Sequence, residues 1–166
     1  MKSSKSLKLL FILVFTVFLT SCSAKYQYQT IETGTSEEDV VASMHKDASS
    51  SKDENENKIL TFEECPYLGK KGTATYSLSN DALQFSKWEY SGEDREEAKK
   101  LYDDICNEKA KVHGNGNVLS NENDTYMTNW NTDEAAVSVS CLKNEEEYVV
   151  SLLEIVATST NDTDNP

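Results

Sequence analysis

The stretch "SGEDREEAKKLYDDICNEKAKVHG", residues 91–114, decides the fold. Ser91 followed three residues later by Asp94 has the form of a capping box. Acidic side chains crowd the first turn, where the positive end of the helix macrodipole falls. Ala98, Leu101, Tyr102, Ile105 and Val112 recur at helical spacing and form one apolar stripe, and Gly114 stops the run. The remaining positions are mostly charged. A helix of this kind needs an apolar surface to lie on.

That surface is legible on both sides of it. Before the helix, "KILTFEEC" (58–65) reads as a strand closed by Pro66 and the glycine-marked loop "PYLGKKG". "TATYSLS" (73–79) turns Ala74, Tyr76 and Leu78 to one face. Asn80-Asp81 makes a tight turn, and "ALQFSKWEY" (82–90) returns. After the helix and the loop "GNGNVLSNEN" come "DTYMTNW", "DEAAVSVSCL" and "EEYVVSLLEIVA". In the second of these, Ala135, Val137, Val139 and Cys141 share a face. The third is apolar on both faces from Tyr148 to Val156, which predicts a central position. The expected fold class is α+β: an antiparallel β-sheet of about five or six strands with one long amphipathic helix packed on one face. No internal repeat is evident.

Trp88 and Tyr90 fall on the parity opposite to Leu83 and Phe85. Either a β-bulge returns both to the core, or they line, with Trp130, an exposed aromatic face suited to glycan or peptide. The size of the rings favours the core.

The ends read differently. Lys2, Lys5 and Lys8 precede an apolar run, Leu9 to Leu19, broken only by Thr16. About 12 such residues are too few to cross a bilayer but suit the apolar region of a signal peptide. It ends in Leu19-Thr20-Ser21-Cys22. This resembles the lipobox of bacterial prolipoproteins: an aliphatic residue, two small or hydroxyl residues, and an obligatory cysteine. The resemblance covers 22 residues and concerns processing alone. It implies alkylation of the Cys22 thiol with diacylglycerol (palmitate or similar chains) and cleavage between Ser21 and Cys22, which leaves the lipidated cysteine as the new N-terminus. Two acyl chains hold a protein stably where one does not. The implied location is the cell membrane, lipid-anchored and facing outside the cytoplasm. The expected division is a signal peptide (1–21), the lipidated cysteine and a flexible polar stalk (22–57), a globular α+β domain (58–157) and a disordered tail (158–166).

Within the stalk, "DASSSKDENENK" has too little apolar surface to offset its ordering entropy. "TSEEDVVASMHK" (35–46) has Thr35 or Ser36 as an N-cap and Val40, Val41 and Met44 at helical spacing, a short transient helix or docking segment.

The chain carries 29 acidic and 16 basic residues, a net charge of −13. Such a field repels nucleic-acid phosphates and excludes nucleic acid as a partner. The acids make no calcium-loop frame in 53–57 or 121–125, so no metal is expected. His45 and His113 lie far apart in sequence, and no G-x-S-x-G or H-E-x-x-H occurs, so no catalytic residue or cofactor is assigned. Cys65, Cys106 and Cys141 remain after Cys22. Cys106 sits at the edge of the helical stripe and Cys141 on the inward parity of its strand, so a bridge, if formed, is expected between them. Cys65 looks less buried. The functional expectation is a monomeric, membrane-tethered extracytoplasmic lipoprotein that binds a glycan or envelope protein without catalysis. The alternatives are a cell-envelope enzyme with a dispersed active site, or an assembly protein docking through residues 35–46.

Overall fold

A computed structural model describes residues 25–157. After an extended strap (25–35) come helix α1 (Glu37–Met44), strands β1 (Ser49–Lys52), β2 (Lys58–Tyr67), β3 (Lys70–Ser79) and β4 (Ala82–Gly92), then helix α2 (Arg95–His113). Strands β5 (Asn117–Glu122), β6 (Thr125–Asn131), β7 (Ala135–Asn144) and β8 (Glu147–Val156) complete the chain. All pairings are antiparallel, in one eight-stranded sheet of order β1-β2-β3-β4-β8-β7-β6-β5. The succession of one helix and four strands thus occurs twice, and the two halves meet where β4 pairs with β8.

The α+β class and the antiparallel sheet match the sequence reading, and β8 is central. The strand count does not, since the described residues hold eight strands and two helices rather than five or six strands and one helix. The two added strands, β1 and β5, are the edges of the sheet. Both are largely exposed, β1 all polar and β5 with only Val118 and Leu119 apolar, without the period-2 alternation that marks a half-buried strand.

Residues 25–57 are not a free stalk among the described residues. Ser36 caps α1 by accepting from Asp39 N–H, and Val40 and Met44 are fully buried. The strap is stitched across the sheet by Tyr28 N–H to Pro66 O (2.9 Å), Thr33 N–H to Val156 O (2.7 Å) and Gly34 N–H to Leu83 O (2.8 Å). The folded unit therefore begins near Lys25, not Lys58.

One face of the sheet carries the core. Tyr76, Trp88, Leu152 and Val139 are solvent-excluded there, and Ala98, Leu101 and Ile105 of α2 pack upon it. Asp94, not Ser91, caps α2, accepting from Glu97 N–H. Val112 lies outside the stripe, 73% exposed, and the buried position in the last turns belongs to Lys109. Neither of the described helices packs on the opposite face. It presents a lateral row of register-paired residues, Thr61, Thr75, Lys87, Leu153, Ser138 and Asn129.

Candidate functional site

The buried face of β8 continues from Val150 and Leu152 to a charged residue, Glu154, of which 2% is exposed. An isolated carboxylate could not remain ionised there, since desolvation costs several kcal/mol. It is paired. Lys109 Nζ lies 2.7 Å from Glu154 Oε1, and the other oxygen accepts from Tyr28 OH and Thr30 Oγ1, each at 2.8 Å. Tyr28 spends its one proton on Glu154, so the hydroxyl of Ser86, 2.9 Å away, donates to the tyrosine oxygen. Burial, reinforced by the nearby carboxylate, raises the Tyr28 pKa well above the ordinary phenol range. The Tyr67 ring stands edge-on to Tyr28 with centroids 5.3 Å apart, and its hydroxyl donates to Glu108 at 2.9 Å.

The chemistry this arrangement supports is fastening. Helix α2, strand β8, strand β4 and the strap each contribute a group, and the strap's two hydroxyls cover the acid. A lysine and a carboxylate sealed in this way bind each other instead of a reactant. The sequence reading passed over Lys109 and Glu154, although a signal was present. Glu154 shares the inward parity of Val150 and Leu152, and Lys109 follows Ile105 by one helical turn.

The residues proposed as an aromatic face are core residues. Trp88 is fully buried and donates its indole N–H to Cys65 O at 3.0 Å. Trp130 is 4% exposed and donates to Gly114 O at 2.8 Å. Tyr90 is partly buried and packs against the same cluster. The cause is a register shift where Leu78 and Ser77 of β3 face Leu83 and Phe85 of β4. It puts Leu83 and Trp88 on one face despite their opposite parity. The face fails because the bulge intervenes.

Cys65, Cys106 and Cys141 are free thiols, so the expected Cys106–Cys141 bridge is not formed. Cys106 approaches Tyr102 and Thr128, whereas Cys141 is register-paired with Tyr126 and Val150. Cys65 is fully buried, contrary to expectation, because a second bulge between Phe62 and Cys65 reverses its parity. Burial pushes the Cys65 and Cys141 thiols up to about 11. The apolar face of 35–46 is not free for docking, since Val40 and Met44 are spent on the protein's own core. Asp53 accepts from the backbone N–H groups of Asn55 and Asn57, and Asp124 pairs with Arg95 at 2.5 Å. Among the described residues, no group of three or more His, Cys, Asp or Glu side chains converges on a metal position. No described helix is long and apolar enough to cross a membrane. Cys22, Ser21 and the lipobox lie outside the described residues.

One of the open grooves lies beside β5. Helix α2 does not extend over β5, which leaves a trough of about 410 Å³ floored by Thr128 and Trp130 and walled by Cys106, Ala110 and Val118. Its volume falls in the range of small binding clefts.

No protein-family model, curated protein or solved structure matches the chain.

Proposed function

We propose that this protein is a lipid-anchored extracytoplasmic binding module, held close to the bilayer, that acts by contact and not by catalysis. Leu19-Thr20-Ser21-Cys22 supplies the anchor, with cleavage before Cys22. The observation that carries the reading is the position of the strap. Tyr28, six residues after Cys22, is fastened into the core by Glu154. Only Ser23 and Ala24 separate Cys22 from Lys25, so these Cα atoms are at most about 11 Å apart. An anchor so near a packed element holds the whole domain at the membrane surface, while its acidic charge keeps it from sinking into anionic headgroups.

The test is membrane fractionation with metabolic labelling by a fatty-acid analogue. The wild-type chain partitions with membranes and takes the label, and Cys22→Ala loses both. Equal labelling of the variant overturns the assignment.

A further inference from the structure

The two sheet edges are built differently. β1 has four residues, Ser49–Lys52, and ends in a lysine, a usual way of discouraging strand addition. β5 has six, Asn117–Glu122, with neither lysine nor proline. Val118 and Leu119 on it are 60% and 53% exposed, and Val112, at the end of the flanking helix, is 73% exposed. These are the three most exposed large apolar residues among the described residues. β5 has only one neighbour, β6, so its outer backbone groups have no strand to pair with. A bulge between Val118 and Ser120 leaves Leu119 without a register partner.

An open edge beside a trough of mixed apolar and polar lining is the geometry of strand addition. Main-chain hydrogen bonds supply affinity there, and alternate side chains enter the groove. Here the entering side chains meet Val118, Ala110 and Cys106, while Asn107, Asn115 and Asn121 offer carboxamides at the rim. Charge selects the occupant. The chain carries −13, and the one charge on β5 is that of Glu122. The lysine at the trough, Lys99, is neutralised by Asp103 at 2.6 Å. A second copy brings an equal negative field, and residues 158–166, "TSTNDTDNP", bring two aspartates and no cation. Both are repelled where a cationic segment is attracted.

We propose that the edge of β5, with the trough between it and α2, receives an extended basic polypeptide segment as a ninth strand. This rests on the reading of the protein as a binding module and names its partner class. It does not depend on the anchor.

The experiment uses the mature chain, residues 22–166, and three synthetic octapeptides: alternating Lys/Val, alternating Glu/Val, and the Lys/Val peptide with two central prolines. Binding is read by fluorescence anisotropy and located by hydrogen exchange. The Lys/Val peptide binds at least tenfold more tightly than either other peptide, protects the amides of 117–122, and is weakened at least tenfold by Val118→Glu. Val118 is exposed, so that variant folds, and its unchanged urea midpoint verifies this. Equal binding of the proline peptide reduces the effect to charge alone and overturns the proposal, as does protection elsewhere or no binding. A concentration-dependent dimer lost in Leu119→Lys assigns the edge to a second copy. A tenfold gain on removing 158–166 assigns it to the chain's own tail. Either result also overturns the proposal. Each outcome leaves the labelling of Cys22 unaffected, so the two readings fail separately.

Discussion

Lys109 Nζ and Glu154 Oε1 stand 2.7 Å apart, on a helix and a strand, although more than forty residues separate the two in sequence, and their side chains are 7% and 1% exposed. A pair so placed does little for stability relative to apolar residues of the same shape, but removing one member strands the other. Lys109→Met is expected to cost about 3–5 kcal/mol. The double variant Lys109→Met with Glu154→Gln, which keeps an acceptor for Thr30 and Tyr28, recovers much of that loss. Urea unfolding of the singles and the double forms the cycle. A double variant no more stable than Lys109→Met alone refutes the account.

Tyr28→Phe removes one hydroxyl from the same carboxylate and leaves the ring in place. A hydrogen bond to a charged group contributes about 1.5–3 kcal/mol, and that is the loss expected. The strap should also resist protease. Limited digestion should leave a core that begins near Lys25, and early cleavage in 46–58 without cleavage of β2 would mark only the β1 turn as open. Release of the strap by cuts within 26–34 contradicts the fastening.

Gly72 tests the packing around Trp88. A Cβ added there would sit 2.7 Å from Trp88 Cε2 and closer still to the Glu89 carbonyl. Backbone cannot give way as a flexible side chain does, so Gly72→Ala should destabilise by about 1–3 kcal/mol through overpacking. Trp fluorescence should redden as the ring is displaced. An unchanged spectrum and midpoint would show that β3 and β4 accommodate the methyl.

The buried thiols set an alkaline limit. Cys65 and Cys141 ionise near 11 in the folded chain, against an ordinary value of 9.0. The folded state keeps its protons longer than the unfolded one. The contribution is therefore fully present below pH 9 and lost as pH rises toward 11. Tyr28 and Tyr76, also raised by burial, extend the loss upward. The urea midpoint should be flat from pH 7 to 8.5 and fall above 9. Replacing both cysteines by alanine should lessen the fall between 9 and 11, and an identical fall assigns it to the tyrosines alone.

Exposed apolar positions give the opposite expectation. Val112→Ser should shift stability by no more than about 0.5 kcal/mol, whereas Ile105→Ala should cost about 2–5 kcal/mol. Thermal melts of the two distinguish the helix face observed from the stripe read in the sequence.

Six strands and the long helix were legible because each has a buried face, and a buried face imposes its period on the chain. Ala135, Val137, Val139 and Cys141 are all inward, as alternation requires. β1 and β5 were not legible because an edge strand is specified by its neighbour's backbone, and "SSSK" carries no pattern of its own. α1 carries only a weak apolar face beside a polar tract, which in the sequence marks no more than a transient helix. Two buried residues, Val40 and Met44, suffice because Leu83 fixes the start of α1 by donating its N–H to Thr35 O and accepting from Gly34 N–H. Parity misled at Cys65, which a bulge turns into the core, whereas Trp88 is buried beside a bulge as the size of its ring favoured. The lock escaped notice because lysine and glutamate are read as solvated unless their partner is in view.

The strand at the centre of the sheet is also the last of the described strands along the chain. β8 pairs with β4 on one side and β7 on the other, and its Glu154 receives Tyr28, 126 residues earlier in the chain. Until β8 emerges, β4 and β7 each present a long unpaired edge, and the strap has nothing to fasten to. The two halves are therefore aggregation-prone intermediates when apart, and closure is a late, long-range event of high contact order. Truncation before Glu147 leaves two unfinished sheets, so a frameshift near the C-terminus is as damaging as one near the start.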